Sequence, residues 1–199
     1  MKAGPILFNT DMVKATLSGQ KTQTRREVNG VGDDNWLKGA SNHVVHAIDK
    51  CPFGQPGDLL YVRETWQGYR QVSYEYDEWE SMDSPKDRHE QPYTPVYRAD
   101  EKSFPEKWFP AIHMPREFSR LTLEITDVRV ERLQDISNDD ALAEGIGIPF
   151  DQRYAAIDAF RPLWNYIYGN WDTNPWVWVV EFKAHHCNVD AMLNERLAA

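Results

Sequence analysis

The sequence predicts one mixed α+β domain with a β-rich core, and three observations support this fold class. The chain has 199 residues, which fits the roughly 100–200 residues of a single domain. Segments 59–66, 120–132 and 176–182 have the alternating or continuous apolar patterns that are typical of strands. Two shorter segments begin with helix-capping residues and end at a glycine. Because the chain contains no internal repeat and no linker, we expect a single domain over residues 1–199.

The N-terminal part of the chain predicts a short helix followed by a long loop. Asn9 or Thr10 can cap this helix, which ends at Gly19. Asp11 supplies the negative charge that is favoured in a first helical turn. Residues 29–56 are rich in Gly, Asn and Asp, and we expect them to be a loop insertion.

The middle of the chain predicts two strands separated by a second insertion. The run LLYVRETW over 59–66 favours a strand. Residues 69–93 are acidic, aromatic and poor in aliphatic side chains, which is typical of an exposed insertion. A short strand follows over 94–98. We expect it at a sheet edge, since Pro95 cannot donate a ladder hydrogen bond.

The C-terminal part predicts two strands and two helices. Residues 120–132 alternate apolar and polar side chains, which indicates one long strand or a hairpin with a central bend. Ser137 then caps a helix that ends at Gly145, and a second helix is expected over 152–168. The run 176–182 is apolar on both faces, as a buried strand is.

The composition excludes several classes of protein. The net charge is −9, with 22 Lys and Arg against 31 Asp and Glu, and such an acidic chain repels bulk nucleic acid. No apolar run reaches the roughly 18 residues of a membrane helix, and no signal-peptide core is present. We therefore expect a cytoplasmic protein with no membrane partner. Cys51 and Cys187 follow no CxxC pattern, which favours free thiols.

The charge is unevenly distributed along the chain. Residues 1–30 have a local charge of +3, from five bases and two acids, whereas residues 73–101 have a local charge of −6, from three bases and nine acids. A small basic site on an acidic body fits a selective pocket better than a long groove for a polynucleotide.

The segment 19–26 (GQKTQTRR) carries the most informative chemistry. Lys21, Arg25 and Arg26 can bind an anion or a polar base through charge-assisted hydrogen bonds, although a solvated basic turn has the same composition. A threonine hydroxyl needs a base, and a lysine with a lowered pKa can be that base. Lys21 and Thr24 can serve together if Lys21 lies in the turn, because positions i and i+3 of a strand face opposite sides.

The tryptophan residues and the motifs that the sequence lacks indicate which ligand contacts and cofactors to expect. Trp66 follows Arg63 and Glu64 at a strand end, where its ring can stack on a ligand, whereas Trp176 and Trp178 are expected in the core. The chain has no P-loop, GxGxxG, HExxH or GxSxG motif, so we expect no nucleotide or dinucleotide cofactor. Its histidines lack the paired spacing of a zinc site, so no metal is expected either.

The segment 17–26 (LSGQKTQTRR) resembles the GxKxxxxR signature of the ASCH superfamily. Three later segments occur in the order expected of that domain, namely GDLLYVRE over 57–64, AEG over 143–145, and the strand over 177–182. The resemblance covers most of residues 4–183. It is strongest to the phage- and prophage-encoded branch of the superfamily.

This resemblance implies a PUA-like β-barrel with flanking helices and a cleft that binds a modified nucleoside or RNA. One branch, the small bacterial N4-acetylcytidine amidohydrolases, uses a Lys, a Thr three residues later, and a Glu. By resemblance Thr24 is the nucleophile, Lys21 its base and Glu144 the proton-handling acid, with Glu64 as a local alternative for the acid. The resemblance also implies the cytoplasm of a bacterial host cell.

Three hypotheses for function follow. The first is an amidohydrolase that acts on a modified nucleoside. The second is a non-catalytic RNA-binding module, and the third is a phage structural or interaction protein whose partner surface is the acidic segment 73–93. This chain is nearly twice as long as the minimal amidohydrolases, and its insertions can reshape the pocket. The residues expected to bind the substrate are Arg25, Arg26, Arg63, Glu64 and Trp66.

Overall fold

A computed structural model describes residues 1–28, 50–73, 78–86, 93–100 and 107–198. These residues form an α+β fold of helices and antiparallel sheet pairs, which confirms the predicted class. Most of the insertion predicted over 29–56 lies outside the described residues. Within the described ranges, no helix has the length and apolar character needed to cross a membrane.

The described strands form two sheets. A five-stranded sheet has the order β1-β3-β7-β8-β2 and a three-stranded sheet has the order β5-β4-β6; neither closes into a barrel within the described residues. The strands are β1 (Ala3–Leu7), β2 (Gln23–Glu27), β3 (Leu59–Arg63), β4 (Trp66–Ser73), β5 (Glu78–Ser81), β6 (Thr94–Tyr97), β7 (Thr122–Arg132) and β8 (Trp176–His185).

The helices of the described part are short. They are α1 (Thr10–Leu17), α2 (Asn138–Ala143), α3 (Ala156–Ile167) and α4 (Val189–Ala198). The helix predicted over 152–168 begins later than expected, because residues Phe150–Ala155 form a 3-10 turn before α3.

The chain divides into two compact units whose segments alternate along the sequence. Unit 1 comprises Met1–Gly4, Ala15–Leu60 and Leu123–His185, and unit 2 comprises Pro5–Lys14, Tyr61–Thr122 and His186–Ala199. The single domain expected from the sequence stays a prediction.

Unit 1 has an apolar core between its helices and β8. Phe160 and Trp164 lie one turn apart on α3, and Val177 and Val179 lie on one face of β8. Trp178 is buried, as predicted, whereas Trp176 is half-buried. Burial of this core stabilises the segment that leads from β7 through α2.

Unit 2 has its own apolar cluster around Trp66, with Met82, Tyr97, Phe109 and Met114. β6 lies at an edge of the three-stranded sheet, as its proline predicts. Part of the segment predicted as an exposed insertion over 69–93 belongs to β4 and β5, and Met82 is 1% exposed. Residues 74–77 and 87–92 of that segment lie outside the described residues.

Local signals set the boundaries of two helices as predicted. The Asn9 side chain accepts a hydrogen bond of 2.8 Å from the Met12 amide at the start of α1. Ser137 and Asp140 form a reciprocal capping box at the start of α2. The region 120–132 is one strand, β7, rather than a hairpin.

Candidate functional site

Lys21 lies in unit 1 between the turn at Ser18 and Gly19 and the start of β2 at Gln23. It forms an isolated antiparallel bridge with Glu144, and its amide donates to the Ala15 carbonyl at 2.9 Å. The next amide, of Thr22, donates to the carbonyl of Ala143 at 2.8 Å. The C-terminal end of α2 is therefore joined by its backbone to the start of β2.

Gly145 makes this close approach possible. Its φ of +91° lies in the region that favours glycine. A Cβ at this position would lie 2.7 Å from the Cβ of Ala15 and 3.1 Å from the Cβ of Lys21. The glycine that ends α2 therefore leaves the space in which the Lys21 side chain lies.

Lys21 and Glu144 form a buried ion pair. The Lys21 ammonium donates to Glu144 Oε2 at 2.7 Å and to the Glu144 carbonyl at 2.8 Å. The two side chains are 0% and 4% exposed. Burial lowers the pKa of Lys21, Glu144 opposes that shift, and the positive charges of Arg26 and Arg25 add to it. The pair therefore holds a lysine that gives up its proton more readily than an exposed one.

Arg25 extends this pair into a larger charged network. Its Nη2 lies 2.5 Å from Glu131 Oε1, and its Nη1 lies 3.4 Å from Glu144 Oε1. Gln23 accepts a further hydrogen bond from Nη1. The Arg25 side chain is completely buried, so its charge is matched by carboxylates of the protein itself.

Arg129 lies at the more exposed end of the network. It binds Glu131 at 3.1 Å, Asp140 at 2.9 Å and also Glu181. Burial alone would raise the pKa of Asp140, but hydrogen bonds from Ser137 and Gln23 and the charge of Arg25 lower it to about 2. The acid that caps α2 thus also anchors the network.

Thr24 lies on the other face of β2. Gln23 and Arg25 oppose Glu181 and Val179 of β8, and successive side chains of a strand point to opposite faces. Thr24 is completely buried, and its Oγ1 is the one buried hydroxyl of the described residues without a hydrogen-bond partner. No hydrogen bond joins Thr24 Oγ1 to Lys21 or Glu144 in this part of the chain.

Arg26, predicted to bind the substrate, is half-buried and donates to the carbonyl of Arg25 at 3.0 Å. It follows Thr24 by two residues on the same strand and therefore shares its face. Of the predicted residues in unit 1, Lys21, Glu144 and Arg25 come together, whereas Thr24 and Arg26 lie on the other face.

Glu64, the alternative acid, lies in unit 2 and has a different cation. Its two carboxylate oxygens accept from Arg120 at 2.9 and 3.0 Å, and Arg120 also binds Asp100 at 2.7 Å. The guanidinium lies 4.0 Å from the centre of the Tyr97 ring. Burial raises the pKa of Glu64, against the opposing effect of Arg120. Glu64 is thus held by an arginine, which does not deprotonate.

Trp66 and Arg63, the other predicted ligand contacts, also lie in unit 2. Trp66 has no exposed surface and packs against Phe109 and Phe118 with ring centres 5.3 and 5.2 Å apart. This is the environment of a core side chain. Arg63 is half-buried and donates to the Ile112 carbonyl at 3.3 Å.

Sequence reasoning missed the residues that complete both charged clusters. Arg129 and Glu131 are spaced by two on β7, so their shared face was a usable signal. No such sequence signal pointed to Arg120, because its partners Glu64 and Asp100 are distant in sequence.

Neither metal-binding geometry nor similarity to known proteins assigns a function to these residues. Among the described residues, no group of three or more His, Cys, Asp or Glu side chains is arranged to hold a metal ion. No protein-family model matches the chain, and neither a curated protein nor a solved structure is significantly similar to it.

Proposed function

We propose that this chain is an ASCH-type enzyme, with a PUA-like barrel, that hydrolyses an amide on a modified nucleoside such as N4-acetylcytidine. The observation that supports this most strongly is the almost completely buried ion pair of Lys21 and Glu144. A lysine whose pKa is lowered by burial is better suited than an exposed lysine to act as a general base.

The chemistry requires Lys21 as a neutral amine. Burial disfavours the charged ammonium of Lys21 and so favours loss of its proton. The amine that results can accept a proton from a nucleophile.

Thr24 supplies the nucleophile in this proposal. A buried polar group without a partner is uncommon and requires an explanation, and the Thr24 hydroxyl is such a group. In the structure the Lys21 ammonium binds Glu144 and not Thr24, so the reaction requires the Lys21 side chain, which precedes β2, to turn toward Thr24 when the substrate binds.

The proposed reaction has two halves. Thr24 Oγ1 attacks the acetyl carbon and its proton goes to the Lys21 amine. The bond between the acetyl carbon and the exocyclic nitrogen breaks, and Lys21 returns the proton to that nitrogen, which releases cytidine and leaves an acetyl ester on Thr24. Water then attacks the ester, with Lys21 taking and returning a proton, which releases acetic acid and restores the hydroxyl.

A nucleoside is a better substrate for this site than a long RNA. The charge of Arg25 is matched by Glu131 and Glu144 and does not reach solvent. The chain as a whole has a net charge of −9, which repels a polyanion. A neutral nucleoside meets neither obstacle.

The test is release of cytidine from N4-acetylcytidine, followed by chromatography with mass detection. We expect turnover by the intact chain and a loss of about 100-fold or more in Lys21→Ala. Lys183→Ala removes an exposed lysine from β8 and is the matched control. Absence of turnover by the folded chain, or full turnover by Lys21→Ala, would contradict the proposal.

A second measurement tests the nucleophile. Thr24→Ala should stop turnover, while Thr24→Ser keeps the hydroxyl and should retain part of it. Substrate mixed briefly with the enzyme should add the mass of one acetyl group to the intact chain and none to Thr24→Ala. Normal turnover by Thr24→Ala would show that water attacks directly.

A further inference from the structure

The described residues of unit 2 form four contacts in which an arginine lies over a tyrosine ring. The distances from the guanidinium carbon to the ring centre range from 4.0 to 5.8 Å, which is the range of cation–π contacts. The pairs are Arg120 with Tyr97, Arg116 with Tyr61, Arg63 with Tyr61, and Arg70 with Tyr93.

Three of these four arginines have a carboxylate partner and one does not. Arg63 forms no ion pair within the described residues. Its Nη1 donates to the Ile112 carbonyl at 3.3 Å, and its Nε is buried and has no hydrogen-bond partner there. The three paired arginines bind their carboxylates as follows: Arg120 to Glu64 and Asp100, Arg116 to Asp190, and Arg70 to Glu80.

Arg63 and Arg116 also share one ring. Their guanidinium carbons lie 5.7 and 5.2 Å from the centre of the Tyr61 ring. Asp190 neutralises Arg116 through two of its nitrogens. Of the two guanidinium groups at Tyr61, only that of Arg63 therefore has no carboxylate partner among the described residues. The Arg63 side chain is half-buried.

An unmatched, half-buried guanidinium with an unused N–H is suited to an anion. Its N–H groups form a rigid fork that binds phosphate or carboxylate oxygens two at a time. A bound oxyanion would give Arg63 Nε the acceptor that it lacks. It would also restore the balance of charge that Glu80 and Glu64 give to the other arginines.

We propose that Arg63 binds the phosphate monoester of a small ligand such as a nucleotide. A monoester carries close to two negative charges at neutral pH, and the fork of the unmatched Arg63 guanidinium can bind two of its oxygens. A single such site on a chain of net charge −9 does not favour a polyphosphate backbone. This site is independent of any reaction at Lys21.

The direct test is nuclear magnetic resonance of the full chain labelled with nitrogen-15, observing the Nε–H signals of its arginines. Inorganic phosphate and cytidine 5′-monophosphate, added at constant ionic strength with chloride, should shift the Arg63 signal with saturation. Cytidine should not shift it. If an oligoribonucleotide without terminal phosphates bound more tightly than the monophosphate, the preferred ligand would be a phosphate diester and not a monoester. That result would overturn the proposal.

Matched variants complete the test. Arg63→Gln should weaken phosphate binding by about tenfold or more, since it removes charge-assisted hydrogen bonds. Arg70→Gln removes an arginine that also lies over a tyrosine but is paired with Glu80, and it should bind phosphate as the intact chain does. Equal weakening in both variants, or no shift of Arg63 at millimolar phosphate in the intact chain, would contradict the proposal. The second result needs no variant to fold.

Discussion

Two buried glutamates of this chain differ in the cation that each one binds. In unit 1, Glu144 binds Lys21, and both side chains are almost completely buried. In unit 2, Glu64 is buried to a similar degree but binds Arg120, whose side chain is 25% exposed. Both carboxylates are held by hydrogen bonds shorter than or equal to 3.0 Å.

The difference in cation determines what each cluster can do. A lysine can lose its proton when burial lowers its pKa, as it does for Lys21. An arginine keeps its charge at any pH at which a protein folds, so Glu64 and Arg120 hold a fixed pair of charges. Proton transfer is therefore expected at the first cluster, and a structural role at the second.

The largest effect is expected from Lys21→Arg, which keeps the charge and removes the ability to titrate. Turnover of N4-acetylcytidine should fall by about 100-fold or more, because a general base contributes a factor of that order. The reciprocal change, Arg120→Lys, should leave turnover unaltered. The measurement is kcat/KM of each variant, with circular dichroism to establish that it is folded.

Lys21→Met is the companion variant, because methionine is closer than arginine in size to lysine and carries no charge. It should lose turnover to the same extent as Lys21→Arg. Wild-type turnover in Lys21→Arg would indicate that only the positive charge of Lys21 is needed.

The next largest effect concerns stability, and it should be shared by both clusters. Glu144→Ala leaves the buried Lys21 without its carboxylate, which destabilises a protein by about 3 kcal/mol. Glu64→Ala leaves Arg120 with Asp100 and part of its surface exposed, and should cost about 2 kcal/mol. Urea unfolding measures both values. Glu117→Ala replaces an exposed side chain in a 3-10 turn; it provides a reference and should change the free energy of unfolding by less than about 1 kcal/mol. A small effect for Glu64→Ala would show that the unit 2 cluster is not structural.

A smaller effect is expected at Gly145. Alanine there meets both the positive φ and the Cβ atoms of Ala15 and Lys21, and we expect a loss of about 2 kcal/mol. Gly19→Ala has a positive φ with no atom within 4 Å and should lose about 1 kcal/mol. Gly147→Ala has neither feature and should be neutral. Equal losses at positions 145 and 19 would exclude the close approach as a cause.

The last effect is a pH dependence at Asp140. The pKa of this carboxyl is lowered to about 2 in the folded chain, so its ionised form stabilises the fold above the ordinary value of 3.8 and this contribution is lost as the pH falls toward 2. Asp140→Asn should therefore be less stable than the intact chain at pH 6, and the difference should shrink between pH 4 and pH 2. Thermal unfolding across that range measures it, and a constant difference would contradict the assignment.

Much of the local structure could be predicted from the sequence because its causes are local. The cap at Asn9 and the box of Ser137 and Asp140 use neighbours within three residues. The single strand β7 could not be predicted from the local pattern alone, because its alternation of apolar and polar residues is equally compatible with a hairpin. It remains one strand of eleven residues in the sheet between β3 and β8.

The site was predictable only in part. The turn that precedes Lys21 could be predicted from Gly19, and the role of Glu144 was expected from the family resemblance. The burial of Arg25 could not be predicted, because it depends on Glu131 and Glu144, which lie more than 100 residues further along the chain. Trp66 was expected to contact a ligand for its place at a strand end. Its burial arises from Phe109 and Phe118, which no local pattern joins to it.

The proposed chemistry requires that Lys21 can give up its proton within the folded chain. Carbon-13 resonance of the lysine Cε atoms, followed as a function of pH, measures the pKa of each lysine directly, and Lys21→Met assigns the signal. We expect a midpoint for Lys21 below the ordinary value of 10.5, with turnover rising through the same pH range because the neutral amine is the base. A midpoint at or above 10.5 would mean that Glu144 holds Lys21 as a permanent cation, and the proposed chemistry would be wrong.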